Sequence, residues 1–137
     1  MIAADTSVVV AAFASWHEWH EAADRALSNR TRLVAHSALE VYSVLTRLPP
    51  PHRAPAGLVR DFLAARFPEP YLSLTPADHR ALIPTLADLG ITGGATYDVL
   101  ISVTAAKAGA TILSCDLRAA RTYERCGVRV SLLDGLA

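Results

Sequence analysis

Four carboxylates stand apart from the solvated faces of this sequence: Asp5, Glu40, Asp98 and Asp116. Asp5 closes the short apolar run Met1-Ile-Ala-Ala and is followed by two hydroxyls, Thr6 and Ser7. Asp116 closes a second apolar run, residues 110–114, after Ser114 and Cys115. An acid where an apolar strand opens into a helix occupies the carboxyl end of the strand, the edge at which open α/β sheets carry their chemistry. Parallel strands would bring Asp5 and Asp116 to one edge, and Glu40 and Asp98, each expected in the first turn of a helix, would join them there. Four carboxylates in one place repel, with raised pKa values or a bound cation as the two ways out.

Oxygen-only ligands suit Mg²⁺ or Mn²⁺ better than zinc. Such a cation orients and polarises a phosphodiester and acidifies an attacking water, so phosphodiester hydrolysis is the chemistry expected. Thr6, Ser7 and Ser114 are placed to orient a carboxylate or a water through their hydroxyls. Each acid also has a plainer role open to it. Asp98 suits the positive end of a helix dipole, and Asp116 suits an N-cap. Asp5, set against an apolar strand with no base near it in sequence, is the hardest to explain as structure.

Other chemistry-bearing residues form weaker patterns. His17 and His20, beside Trp16 and Trp19, have the spacing of a metal pair, but no third ligand has an evident position and a packed helix face explains them as well. His36, His52 and His79 have no partner pattern. Cys115 and Cys126 lack metal spacing and read as free thiols in a reducing compartment. Arg118, Arg121 and Arg125 form a stripe behind Asp116 that either grips phosphates or faces solvent.

The elements that must position these groups follow from periodicity and punctuation. Strands are expected at the N-terminus and at residues 33–35, 71–74, 110–114 and 128–132. Thr6 or Ser7 is expected to cap a helix through residue 13, and further helices are expected at 15–27, 37–48, 56–67, 75–89 with a bend at Pro84, 96–108 and 117–125. The proline-rich residues 49–55 read as a turn between helices. Strands separated by helices imply an α/β fold with a mainly parallel sheet and right-handed crossovers.

The 137 residues suit a single domain. Lys plus Arg (13) equals Asp plus Glu (13), so no overall basic field advertises a nucleic-acid partner and any such partner must be held locally. A hydrophobic content of 52% argues against disorder and for an apolar face hidden in a homodimer. The first residues lack the pattern of a signal peptide, and no run has the apolar length of a membrane span, so a cytoplasmic protein is expected.

These motifs, taken together, resemble the PIN-domain family, and within it the VapC-type toxins of bacterial toxin–antitoxin pairs. The matching pieces are Asp5-Thr-Ser7, Glu40 within residues 36–49, Gly93-Gly-Ala-Thr-Tyr-Asp98 and Leu113-Ser-Cys-Asp116. The resemblance covers essentially the whole chain. It implies a three-layer α/β/α fold with about five strands, and a Mg²⁺- or Mn²⁺-dependent endoribonuclease acting on RNA, with tRNA or rRNA as the substrate class. It also implies a homodimer and a VapB-type antitoxin that covers the acidic site. Metal-ligand roles carry over to Asp5, Asp98 and Asp116, with Glu40 bound directly or through water. Ser114 keeps the hydroxyl of a family threonine. Arg118 stands where many relatives have a further acid, which leaves the number of metals open. A catalytically inactive PIN-like binding module, pairing with an antitoxin or RNA, is the alternative.

Overall fold

The structure, a computed structural model, describes residues 1–133. Strand β1 (Ile2–Ala4) lies inside the sheet, with β2 (Arg32–Leu33) on one side and β3 (Thr111–Ser114) on the other; β4 (Val130–Leu132) lies beyond β3. Every pairing is parallel, so helices must return the chain across the sheet. Helices α1 (Thr6–Phe13) and α2 (His20–Ala26) connect β1 to β2. Helices α3 (Ala35–Thr46), α4 (Ala56–Arg66), α5 (Pro76–Arg80), α6 (Leu82–Leu89) and α7 (Ala95–Lys107) lead to β3, and α8 (Leu117–Arg125) leads to β4.

Strand side chains alternate between two cores, as the period of two requires. Ala4, Leu33 and Leu113 pack with Val8 of α1, Val41 and Leu45 of α3 and Val59 of α4. Ala3 and Ile112 pack on the opposite face with Ile101 and Ala105 of α7 and Ala119 and Tyr123 of α8. Apolar residues on both faces of a parallel sheet give the three-layer α/β/α arrangement expected from the sequence.

Several element bounds differ from the periodicity reading, each for a local reason. Among the described residues four strands form, and residues 71–74 contribute only a single parallel bridge, Leu72 to Val34. The expected helix over 75–89 is two helices. Pro84 has no N–H to offer the carbonyl of residue 80 and its ring crowds it, so the chain breaks at Ala81 and Pro84 sits in the first turn of α6. The expected helix from Ser15 starts only at His20, because the Trp19 amide donates to Nδ1 of His17 (3.0 Å) and residues 14–19 close as turns. Helix α3 starts at Ala35 rather than Ser37, which puts Glu40 in its second turn instead of its first.

The strand order β2-β1-β3-β4 sends the chain to one side of β1 first and later to the other. The crevice between the carboxyl ends of β1 and β3 is therefore a topological switch point, where open α/β sheets part to admit ligands. The Asp5 amide donates to the Leu113 carbonyl (3.0 Å), so Asp5 and Ser114 stand side by side at that crevice. Among the described residues no helix is long and apolar enough to cross a membrane.

Candidate active site

Asp5 follows β1 directly and, rather than the expected Thr6 or Ser7, is the N-cap of α1, because its carboxylate accepts from the Val8 amide. Its Oδ1 accepts from Ser7 Oγ (2.5 Å) and the Val8 amide (3.2 Å), and its Oδ2 accepts from Ser114 Oγ (2.6 Å) and the Tyr123 hydroxyl (3.1 Å). A carboxylate offers about four lone-pair positions, so the buried Asp5 is saturated by protein donors. Burial pushes its carboxyl above the usual range, while the four hydrogen bonds pull it back.

The same hydroxyls lace the two strand ends together. Ser7 Oγ accepts from the Cys115 amide (3.1 Å), and Ser114 Oγ accepts from the Asp116 amide (3.0 Å). Asp116 then caps α8, its Oδ1 accepting from the amides of Arg118 (3.0 Å) and Ala119 (3.2 Å). The capping role expected for Asp116 is thus real, and it uses one oxygen only. Among the described residues Oδ2 of Asp116 has no hydrogen-bond donor.

Glu40 reaches the same crevice from α3, where Thr6 Oγ1 donates to its Oε1. Nε2 of His36, one turn earlier, lies 3.6 Å from Glu40 Oε2, and the His36 ring stacks on Tyr97 with centroids 4.8 Å apart and planes 3° from parallel. Asp98 stands in the first turn of α7. Its carboxyl is pushed up to about 6, by burial first and then by the negative charges of Asp116, Glu40 and Asp5, against the opposing charge of Arg118. All four acids line one cleft of about 410 Å³.

Thr6 and Ser7 also line the cleft, while Ser114 is buried beneath Asp5. The cleft includes residues that pattern alone did not single out: Glu18, Trp19 and Tyr123. Tyr123 is buried six residues into α8, and the only signal for it was its place on the apolar side of the Arg118, Arg121 and Arg125 stripe. All three arginines are exposed; of them, Arg118 is close enough to act on Asp98.

The histidine pair does not act as a pair. Nδ1 of His20 bonds the Ala11 carbonyl (2.9 Å), which ties α2 to α1, while Nδ1 of His17 is taken by the Trp19 amide. His17 lines the cleft; His52 packs on Trp16; His79 lies in α5. Burial raises the Cys115 thiol, which suits packing rather than nucleophilic chemistry.

Among the described residues no three His, Cys, Asp or Glu side chains are gathered tightly enough to enclose a metal ion. The donor set nevertheless fits a hard cation. Mg²⁺ keeps several waters and takes only one or two carboxylates, and the oxygens of Asp98 and the second oxygen of Asp116 are uncommitted at a crevice whose charges already disfavour one another.

The sequence matches the PIN domain over residues 2–125. The chain belongs to the PIN-domain family. This PIN domain is 55% identical over 133 residues to Ribonuclease VapC40 of Mycobacterium tuberculosis, a match that covers 97% of the chain and 99% of the relative. It is 40% identical over 131 residues to Ribonuclease VapC27 of the same organism, covering 94% of each. The family read from the Asp5, Glu40, Asp98 and Asp116 motifs is therefore borne out across nearly the whole PIN domain.

Proposed function

We propose that the chain, read as one PIN domain over residues 1–137, is a Mg²⁺- or Mn²⁺-dependent endoribonuclease, the toxin of a type II toxin–antitoxin pair. The observation that carries this reading is the meeting of Asp5, Glu40, Asp98 and Asp116 in one cleft at the switch point of the sheet. The names of both relatives, Ribonuclease VapC40 and Ribonuclease VapC27, support it.

Asp98 and the second oxygen of Asp116 are the residues to hold the cation, with Glu40 bound directly or through water, and Asp5 joining on release of one of its hydroxyl donors. When bound, the cation supplies polarisation of the phosphodiester and a more acidic attacking water. The chain's own contribution is positioning: Thr6 fixes Glu40, Ser7 and Ser114 fix Asp5, and Arg118 lends positive charge beside Asp98. Arg118 and Arg121 are the proposed phosphate contacts on α8. The substrate class is structured RNA, tRNA or rRNA, cut in the cytoplasm. A VapB-type antitoxin covers the cleft, and the active form is a homodimer.

One observation favours an inactive binding module instead, the saturation of Asp5 by four protein donors. Incubating purified protein with total RNA and Mg²⁺ or Mn²⁺, beside Asp98→Asn, decides between them. The ribonuclease reading expects cation-dependent cleavage that Asp98→Asn abolishes. No cleavage by the parent chain with either cation would favour the binding module.

A further inference from the structure

The turns over residues 14–19 carry aromatic side chains that the carboxylate site does not use. His17 and Trp19 line the cleft beside the acids. Trp16 lies next to them, its ring 6.0 Å from that of His17, and it is 49% exposed. An isolated exposed indole would be unremarkable, but this one is held. His52, from the proline-rich turn after α3, packs on Trp16 with centroids 4.2 Å apart and planes 37° from parallel. The indole is restrained by His52 while about half of it stands in solvent, beside the ring of His17, which does line the cleft.

His17 is restrained as well. The Trp19 amide can only donate, so Nδ1 of His17 is the acceptor and the neutral ring carries its proton on Nε2. That leaves one N–H of defined position in the wall of an acidic cleft. A cleft lined by Asp5, Glu40, Asp98 and Asp116 with Glu18 opposes the approach of phosphates, so an RNA strand gains from contacts that do not depend on charge. Stacking of a base on an aromatic ring is such a contact, and it tolerates any base.

We propose that Trp16 is a stacking platform for a nucleobase adjacent to the scissile phosphate, with His17 Nε2–H donating to an oxygen of the same nucleotide. The proposal rests on the ribonuclease reading and adds to it the place where the strand is gripped. An unpaired nucleotide is the ligand, because only an unstacked base can offer its face to the indole.

The test places Trp16→Ala and Trp16→Phe in the full chain and in the cleavage-dead Asp98→Asn background. Fluorescence anisotropy then follows binding of a short labelled oligouridylate and of the same strand carrying abasic residues. Trp16→Ala should weaken oligouridylate binding by about 5- to 150-fold, the usual loss for one stacked base, and raise KM more than it lowers kcat. Trp16→Phe should keep most of the affinity, and the abasic strand should bind the Trp16→Ala protein no worse than oligouridylate does. Because Trp16 is half in solvent, thermal unfolding of both variants should match the parent. Oligouridylate binding by Trp16→Ala equal to that of its parent, in a chain that still cleaves RNA, would overturn the stacking site and leave the ribonuclease reading standing. A parent chain that neither binds nor cleaves RNA would overturn both.

Discussion

The Tyr123 hydroxyl donates to Oδ2 of Asp5 at 3.1 Å, across 118 residues of sequence. It is the donor that completes the shell of the buried carboxylate, and its own deprotonation is opposed by burial and by the charges of Asp5 and Asp98. Tyr123→Phe should therefore cost the metal-free protein about 1.5–3 kcal/mol, the usual value of a hydrogen bond to a charged group. Chemical denaturation in EDTA measures this. Because the variant also frees one lone pair of Asp5, added Mn²⁺ should stabilise it at least as much as it stabilises the parent. A variant as stable as the parent in EDTA would mean that Asp5 does not need this donor.

Thr6 acts on the site through Glu40. Thr6→Val keeps the shape of the side chain and removes the donor, so Glu40 loses its orientation while the fold keeps its packing. Loss of such a supporting partner at a metal site lowers activity by about 10- to 100-fold. Steady-state RNA cleavage should show a drop of that order in kcat, with Thr6→Ser close to the parent. Equal rates for Thr6→Val and parent would detach Glu40 from the mechanism.

Asp98 gives the stability of the metal-free protein a defined pH dependence. Its carboxyl rises from 3.8 to about 6 on folding, so the native state binds the proton more tightly. The contribution is fully present below the unfolded value and is lost as pH rises through the folded one. In EDTA, the parent should therefore lose unfolding temperature relative to Asp98→Asn as pH rises from about 4 to about 7. Saturating Mn²⁺ should reverse the trend, because the cation needs the carboxylate. A constant difference between the two proteins across this range would show that Asp98 is not crowded by its neighbours.

Much of this site was legible in the sequence because strand ends announce themselves. Asp5 and Asp116 each follow an apolar run, and a parallel sheet leaves them no choice but the same edge. Asp98 was legible from the Gly93-Gly94 break before a long helix. The start of α2 was not, and at Pro84 a bend was legible but not the full break between α5 and α6, because each turns on one local competition. A His17 side chain takes a backbone amide, and Pro84 withholds one. Tyr123 was illegible for a different reason. Its role depends on how α8 lies against the end of β1, and nothing in a window of sequence around Tyr123 refers to Asp5.

On the proposed reading, Asp98 and Asp116 bind one divalent cation together. Isothermal titration of Mn²⁺ into the metal-free parent, Asp98→Asn and Asp116→Asn measures it without reference to RNA. The parent should bind the ion in a saturable event that each substitution weakens by at least about tenfold, a loss of about 1.4 kcal/mol. Unchanged Mn²⁺ affinity in both variants would contradict the account.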